Sequence, residues 1–382
     1  MSAPADAAAT TIAAGYSFTG VALEFGTVVL GGAVHPDARI RVPLAMMNRH
    51  GLIAGATGTG KTKTLQGLAE QLSAAGVPVV VADIKGDLSG LSAPGTSNDK
   101  IAQRAKDTAD TDWAPTAFPV EFAALGGIGT GVPLRATMTS FGPTLLAKVL
   151  DLNETQESSL NLIFHYADRA GLPLLDLKDL RSVIGYLTSP DGKADLEQLG
   201  GLSKATAGVI LRDLIGVEDQ GGDAFFGEPE FETTDLLRTA QDGRGVITSI
   251  ELANLQDRPQ LFSTFLMWLL ADLFHDLPEI GDADKPKLVF FFDEAHLLFD
   301  GASKAFLDAV TQTVRLIRSK GVGIFFVTQN PQDVPDSVLG QLGNRVQHAL
   351  RAFTPDDAAA LAKAVKTYPK SSDYDLSQDL QH

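Results

Sequence analysis

The sequence predicts an α/β fold: a mostly parallel sheet flanked by helices, interrupted by a mostly helical insertion. Three observations lead there. Short β-rich runs bounded by Gly, Asp or Pro recur at 51–54, 77–82, 245–250, 288–292, 323–327 and 345–350. Several are apolar at every position, as in Val79-Val80-Val81 and Val289-Phe290-Phe291-Phe292, which suits strands covered on both faces. Helical patterns separate them, and that alternation is the signature of a doubly wound sheet.

Taken in order, residues 1–29 read as a flexible lead with short strands, its first eleven residues Ala-rich and disordered, without the basic and apolar regions of a signal peptide. A helix over 62–75 follows a Gly-rich turn. Residues 92–116, rich in Ala, Asp, Ser and Thr, read as loop. Asn153 and Gln156 have capping-box spacing for a helix through 170, and 176–187 and 203–215 are further amphipathic candidates. These place a mostly helical insertion at 91–239, between core segments 30–90 and 240–368. Asp257 is positioned to cap a helix over 258–275, and another helix spans 302–320. Thr354-Pro355-Asp356-Asp357 combines an N-cap, a first-turn proline and acidic residues, so a helix starts there. Residues 369–382 form a C-terminal tail.

Composition narrows the function classes. The net charge is −16, from 31 basic and 47 acidic residues, which argues against a uniformly basic nucleic-acid binder but leaves room for a local stripe or an assembled channel. With no cysteine, disulfides and Cys-ligated metals are excluded, and a reducing cytoplasm fits. The apolar stretch 261–274 is too short to span a bilayer and contains Asp272, so it reads as a buried helix, not a membrane anchor.

The strongest chemical signal is Gly55-Ala56-Thr57-Gly58-Thr59-Gly60-Lys61-Thr62, followed by Lys63. Small residues let backbone N–H groups turn inward around polyanionic phosphates, and a helix N-terminus adds its dipole. Lys61 then reaches the terminal phosphates and Thr62 ligates Mg²⁺, so the segment predicts an ATP site. Second, the strand Leu288-Val289-Phe290-Phe291-Phe292 delivers Asp293 and Glu294 to its C-terminal edge, where open α/β sheets bind ligands. Asp293 suits Mg²⁺ held through water, and Glu294 suits a general base for the attacking water. Third, Phe325-Phe326-Val327-Thr328 ends in Gln329, able to orient water at the γ-phosphate or simply to make a turn. Arg315, Arg318 and Lys320 close a helix, where they complement its dipole or supply an arginine finger to a neighbouring subunit; Arg345 is a second candidate. His296 extends the string Asp293-Glu294-Ala295-His296, but no Gly-Arg-x-Gly-Arg motif accompanies it, so it reads as a turn-capping residue, not a DEAH-box histidine. Asp83-Ile84-Lys85-Gly86-Asp87 sets charges at the same edge, for coupling or for solvation.

Together these blocks resemble the HerA/FtsK superfamily of ring-forming motor ATPases, and most nearly the bacterial HerA-like helicases. The resemblance runs from about residue 30 to 366 and is carried by Arg49 to Gly55, Ala82 to Gly90, Gly221 to Pro229, Phe292 to Phe299, Arg315 to Pro331 and Asn344 to His348. It implies a RecA-like P-loop NTPase core, a homohexamer with ATP at subunit interfaces, and translocation along DNA. By the same resemblance Lys61 and Thr62 are the Walker A pair, Asp293 and Glu294 the Walker B pair, and Gln329 the sensor. Arg318 matches the trans-acting arginine and Arg345 a second recurrent one. Relatives of this kind carry a strand beyond position 381 and, in archaeal members, a β-barrel longer than the lead before Leu30 allows. Two alternatives stay open: a motor or switch acting on an unidentified protein partner, and a nucleotide-binding module without turnover.

Overall fold

The computed structural model describes residues 2–110, 112–198, 200–281, 283–299, 304–350 and 355–366, together with 368, 376 and 380. In chain order the strands are β1 (Ala22–Leu30), β2 (Ala33–Pro43), β3 (Gly51–Ala54), β4 (Val79–Asp83), β5 (Val120–Leu125), β6 (Val132–Leu134), β7 (Ile247–Glu251), β8 (Leu288–Phe292), β9 (Val322–Thr328) and β10 (Asn344–Gln347). The helices are α1 (Ser2–Ala14), α2 (Lys61–Ala74), α3 (Asp99–Asp107), α4 (Met138–Val149), α5 (Glu154–Arg169), α6 (Leu177–Thr188), α7 (Lys193–Gln198), α8 (Lys204–Asp219), α9 (Pro259–Asp276), α10 (His296–Phe299), α11 (Lys304–Ile317), α12 (Asp336–Leu339) and α13 (Pro355–Lys366). β1 and β2 make an antiparallel hairpin. The rest form one eight-stranded sheet, ordered β10-β3-β9-β8-β4-β7-β5-β6, with every pairing parallel.

Why the strands are apolar throughout is visible in where alternate residues go. Ile53, Val79, Val81, Val289, Phe291, Phe325 and Val327 enter one core, with Leu65, Leu68 and Leu72 of α2. Their neighbours Leu52, Val80, Ala82, Phe290, Phe292, Ile324 and Phe326 enter the other, with α9 and with Val310, Val314 and Ile317 of α11. Period-two alternation thus feeds two hydrophobic layers from one sheet. The helix after β3 leaves by one face and the helix after β8 by the other. Such a change of side opens a crevice at the C-terminal ends of the strands.

The helical layer is anchored by aromatic packing. Phe265 of α9 lies 5.0 Å from Trp268 and 6.3 Å from both Phe141 and Phe225, ring centre to ring centre. At the N-terminus of α5, Asn153 accepts from the N–H groups of Thr155 and Gln156 while Gln156 accepts from Asn153 N–H, completing the expected capping box. Asp272, the charge inside the apolar stretch, accepts from the Thr233 hydroxyl at 2.7 Å. Among the described residues, no helix is long and apolar enough to cross a membrane.

Several expectations need correction. The lead read as disordered contains α1, whose Ala9 packs against Val28 and Ala38 of the hairpin. Alanine's high helix propensity and that apolar seat outweigh the weak periodicity. The loop at 92–116 contains α3, capped by Asn98; it buries no residue and is mostly charged or polar, so its composition reads as loop. The region 91–239 holds α3 to α8 but also contributes β5 and β6, which extend the core sheet beyond β7. Asp257 does not cap α9: the cap position is Arg258, and Pro259 starts the helix. Residues 302 and 354, and most of the tail at 369–382, lie outside the described residues.

Because Phe265 joins α4, α9 and the segment at Phe225, Phe265→Ala is expected to destabilise the chain by about 3–5 kcal/mol. Asn153→Ala, which loses one cap, should cost only about 1 kcal/mol. Chemical denaturation measures both, and equal costs would contradict this placement of the core.

Candidate functional site

The glycine-rich turn is shaped by its two neighbouring strands. Gly55 follows β3 with φ +156° and donates its N–H to Thr328 O at the end of β9, at 3.2 Å. A Cβ there would stand 2.4 Å from the Cβ of His348, so only glycine lets the segment after β10 close over the turn. Ala56 N–H donates to Ala349 O at 2.8 Å, and the His348 ring bridges Thr59 O and the Thr64 hydroxyl, each at 3.0 Å. Burial lowers the His348 pKa below the usual imidazole value, with the charge of Lys61 adding to the effect. Gly60, at φ +104°, turns the chain into α2, whose first residues are Lys61 and Thr62. The Lys61 ammonium donates to Gly55 O at 2.6 Å and Ala56 O at 3.1 Å, within the concave side of the turn. Thr57 is exposed and donates to Gln329 Oε1 at 3.4 Å; Thr59 bonds back to Ala56 O. Lys63 differs from its neighbours: its ammonium is occupied by Gln66 on the exposed face of α2.

The acidic pair arrives from β8, two strands along the sheet from β3. Asp293 and Glu294 are both buried, and Glu294 takes φ +48°, a left-handed conformation that non-glycine residues seldom adopt. Its carboxylate forms an ion pair with Lys85, and the His296 ring lies 3.3 Å away. His296 therefore faces Glu294, where the sequence pointed only to a turn cap. Lys85 comes from the turn after β4, which Asp83 fixes by accepting from Gly86 N–H at 2.7 Å and Leu88 N–H at 3.1 Å. Asp293 Oδ2 and Glu294 Oε2 are both buried without a hydrogen-bond partner.

These charges sense one another. Burial, reinforced by the charge of Glu294, pushes Asp293 up to about 6. Burial likewise draws Lys61 below the usual lysine range, opposed by Glu294 and Asp293. On Lys85 the effect of burial is outweighed by the hydrogen bond and charge of Glu294, and its pKa rises. Two ammonium groups and two carboxylates therefore share the C-terminal edge, next to a turn lined with amides. Such an edge can hold a polyphosphate through Lys61 and the N–H groups, and a cation through the unpartnered Asp293 oxygen. Among the described residues no cluster of three His, Cys, Asp or Glu could bind a metal alone. That donor set suits Mg²⁺, which takes one or two protein oxygens and completes its shell with phosphate and water.

Of the residues singled out in the sequence, 55–62, Asp293, Glu294 and Gln329 come to this edge. Arg318 and Arg345 do not. Arg318 is exposed before β9, at the opposite end of a seven-residue strand, about 20 Å away by strand rise. Arg345 pairs in register with Leu52, three positions before Gly55, and its guanidinium donates to Leu339 O. Besides the approach of His296 to Glu294, sequence reasoning missed two further contacts. Lys85 was visible only as one charge in an acidic-basic run, and its partner follows from the β4–β8 adjacency. His348 appeared only within a resembling block, since nothing local marks a histidine after a strand as the cover of a turn 290 residues earlier.

A family profile described as "Helicase HerA-like C-terminal" matches residues 30–382. The DNA double-strand break repair helicase HerA of Sulfurisphaera tokodaii is 22% identical over 364 residues, covering 93% of this chain and 64% of that protein. This chain thus spans less than two thirds of that relative's length. Among solved structures, the bacterial conjugative coupling protein TrwB superposes with a TM-score of 0.56 at 15% identity, covering 94% of this chain and 79% of that one. TrwB in complex with ADP and Mg²⁺ gives the same score and identity, with 94% and 80% covered. VirB4 of Thermoanaerobacter pseudethanolicus also scores 0.56, at 14% identity, with 92% and 88% covered. The fold is that of these RecA-like P-loop proteins, and the chain belongs to the HerA-like C-terminal helicase family.

Proposed function

We propose that this chain is a Mg²⁺-dependent ATPase that works as a ring motor translocating on DNA. The observation carrying the chemistry is the convergence at one edge of Lys61, the 55–62 turn, Asp293 and Glu294. Amides of the turn and the Lys61 ammonium bind the triphosphate, while Thr62 and Asp293 hold Mg²⁺, which supplies charge neutralisation at the phosphates. Glu294 accepts a proton from water as that water attacks, with Gln329, beside Thr57, orienting it. Family membership supports the motor reading. The HerA relative is a DNA repair helicase, and DNA as the track is carried over from it.

Arg318 supports an oligomer. Because it lies at the far end of β9 from its own turn, a catalytic role for it requires a neighbouring subunit's site. The hexamer is the assembly we assign, with Arg345 a second candidate arginine by resemblance. A protein-directed motor is the alternative, favoured by the net charge of −16, which opposes phosphate-backbone binding.

ATP turnover measured with and without single- and double-stranded DNA, alongside oligomeric mass, tests this reading. Stimulation by DNA in a hexamer is expected; DNA-independent turnover with a co-purifying protein would favour the alternative. In the same assay Lys61→Ala should weaken ATP binding by about 1.5–3 kcal/mol, the scale of a charged hydrogen bond. Glu294→Gln should keep binding and lose hydrolysis.

Shared sites make a distinct prediction. Arg318→Ala should keep nucleotide affinity and lose about 10³–10⁵ in turnover. Mixing it with Lys61→Ala subunits should restore part of the activity, because some interfaces then combine an intact turn with an intact arginine. A fully active monomer, or no recovery on mixing, would remove Arg318 from the mechanism.

A further inference from the structure

We propose that Lys85 is a positioning residue for hydrolysis: its ammonium holds the Glu294 carboxylate in the orientation from which it takes the proton of the attacking water. The inference rests on the reading of Glu294 as general base. In that step the water oxygen bonds to the γ-phosphorus, the bond from phosphorus to the bridging oxygen breaks, and the proton passes to Glu294, leaving ADP and inorganic phosphate.

Strand order brings the pair together. β4 and β8 are adjacent and parallel, with Ala82 opposite Phe292, so Lys85 and Glu294 leave neighbouring strands at the same edge. The turn presenting Lys85 is held rigid. Both oxygens of Asp83 accept its N–H groups, Gly86 takes φ +74°, and Gln256 donates to Ile84 O at 2.7 Å. Glu294 is equally constrained, by its left-handed backbone and a side chain only 8% exposed. Such a backbone is strained and persists only where the surroundings fix it.

The contact differs from a surface ion pair, whose partners are both solvated and contribute little. Here one partner is buried beside a second carboxylate, Asp293, and the other reaches in from an exposed tip at 85–87. Lys61, the other ammonium at this edge, bonds to Gly55 O and Ala56 O instead, and Glu294 Oε2, though 3.3 Å from the His296 ring, has no hydrogen-bond partner, so orientation of Glu294 falls to Lys85. The two lysines divide the work: one serves the turn, the other the base.

Lys85→Met, Lys85→Arg, Glu294→Gln and the double variant Lys85→Met/Glu294→Gln separate the possibilities, with kcat and nucleotide Kd measured for each in the assembled protein. Lys85→Met should lower kcat about 10²-fold, the scale of a misplaced catalytic group, with Kd changed less than about twofold. Lys85→Arg should recover part of that loss, and in the double variant removal of Lys85 should add nothing to Glu294→Gln. An unchanged kcat, a loss confined to Kd, or losses that multiply would each overturn the assignment. Turnover surviving Glu294→Gln would instead remove the base itself. A crystal structure of Lys85→Met gives a readout independent of turnover: the Glu294 carboxylate should leave its position, and an unmoved carboxylate would contradict the proposal.

Discussion

Two carboxylates on consecutive residues, buried at the end of one strand, repel each other and lose hydration together; such a pair needs cations close by. Asp293 and Glu294 meet that need with Lys85 from the strand beside them and Lys61 from the turn after β3. The rest of the molecule serves this arrangement. A parallel sheet sends the C-terminal ends of β3, β9, β8 and β4 to one edge. Two hydrophobic layers hold the strands so tightly that their register decides which charges meet. The same buried aromatic strand that makes β8 stable makes its acidic terminus expensive to leave unpaired.

Much of this was legible in the sequence, because the core strands announce themselves. Apolar runs such as those of β4 and β8 have few other destinations than the centre of a parallel sheet. The glycine pattern at 55–60 carries its own conformational demand, and the structure meets it with positive φ at Gly55, Gly58 and Gly60. Elements without that signal were missed. Helix α3 buries nothing, α1 is an alanine helix with a small apolar seat, and β6 is a three-residue edge strand. Pairing was less legible still. No local pattern in the chain reveals that Lys85 meets Glu294 or that His348 covers Gly55, since both contacts depend on strand order.

The arginines carry a different lesson. Arg318 precedes β9, at the end of that strand away from the turn, whereas Arg345 shares a row with Leu52, Phe326 and Phe292, next to the edge, and donates to Leu339 O. A site complete in one subunit has no use for Arg318 there. A site completed by a neighbour does, and then assembly itself governs turnover. The total charge of −16 weighs against a nucleic-acid track unless basic side chains are gathered in one place on the assembly.

The most direct measurement is a crystal structure with a non-hydrolysable ATP analogue and Mg²⁺. The account requires the triphosphate within the 55–62 turn, the Lys61 ammonium drawn to the terminal phosphates, and the metal between the Thr62 hydroxyl and the Asp293 carboxylate. Nucleotide bound elsewhere, or a metal remote from Asp293, would contradict it.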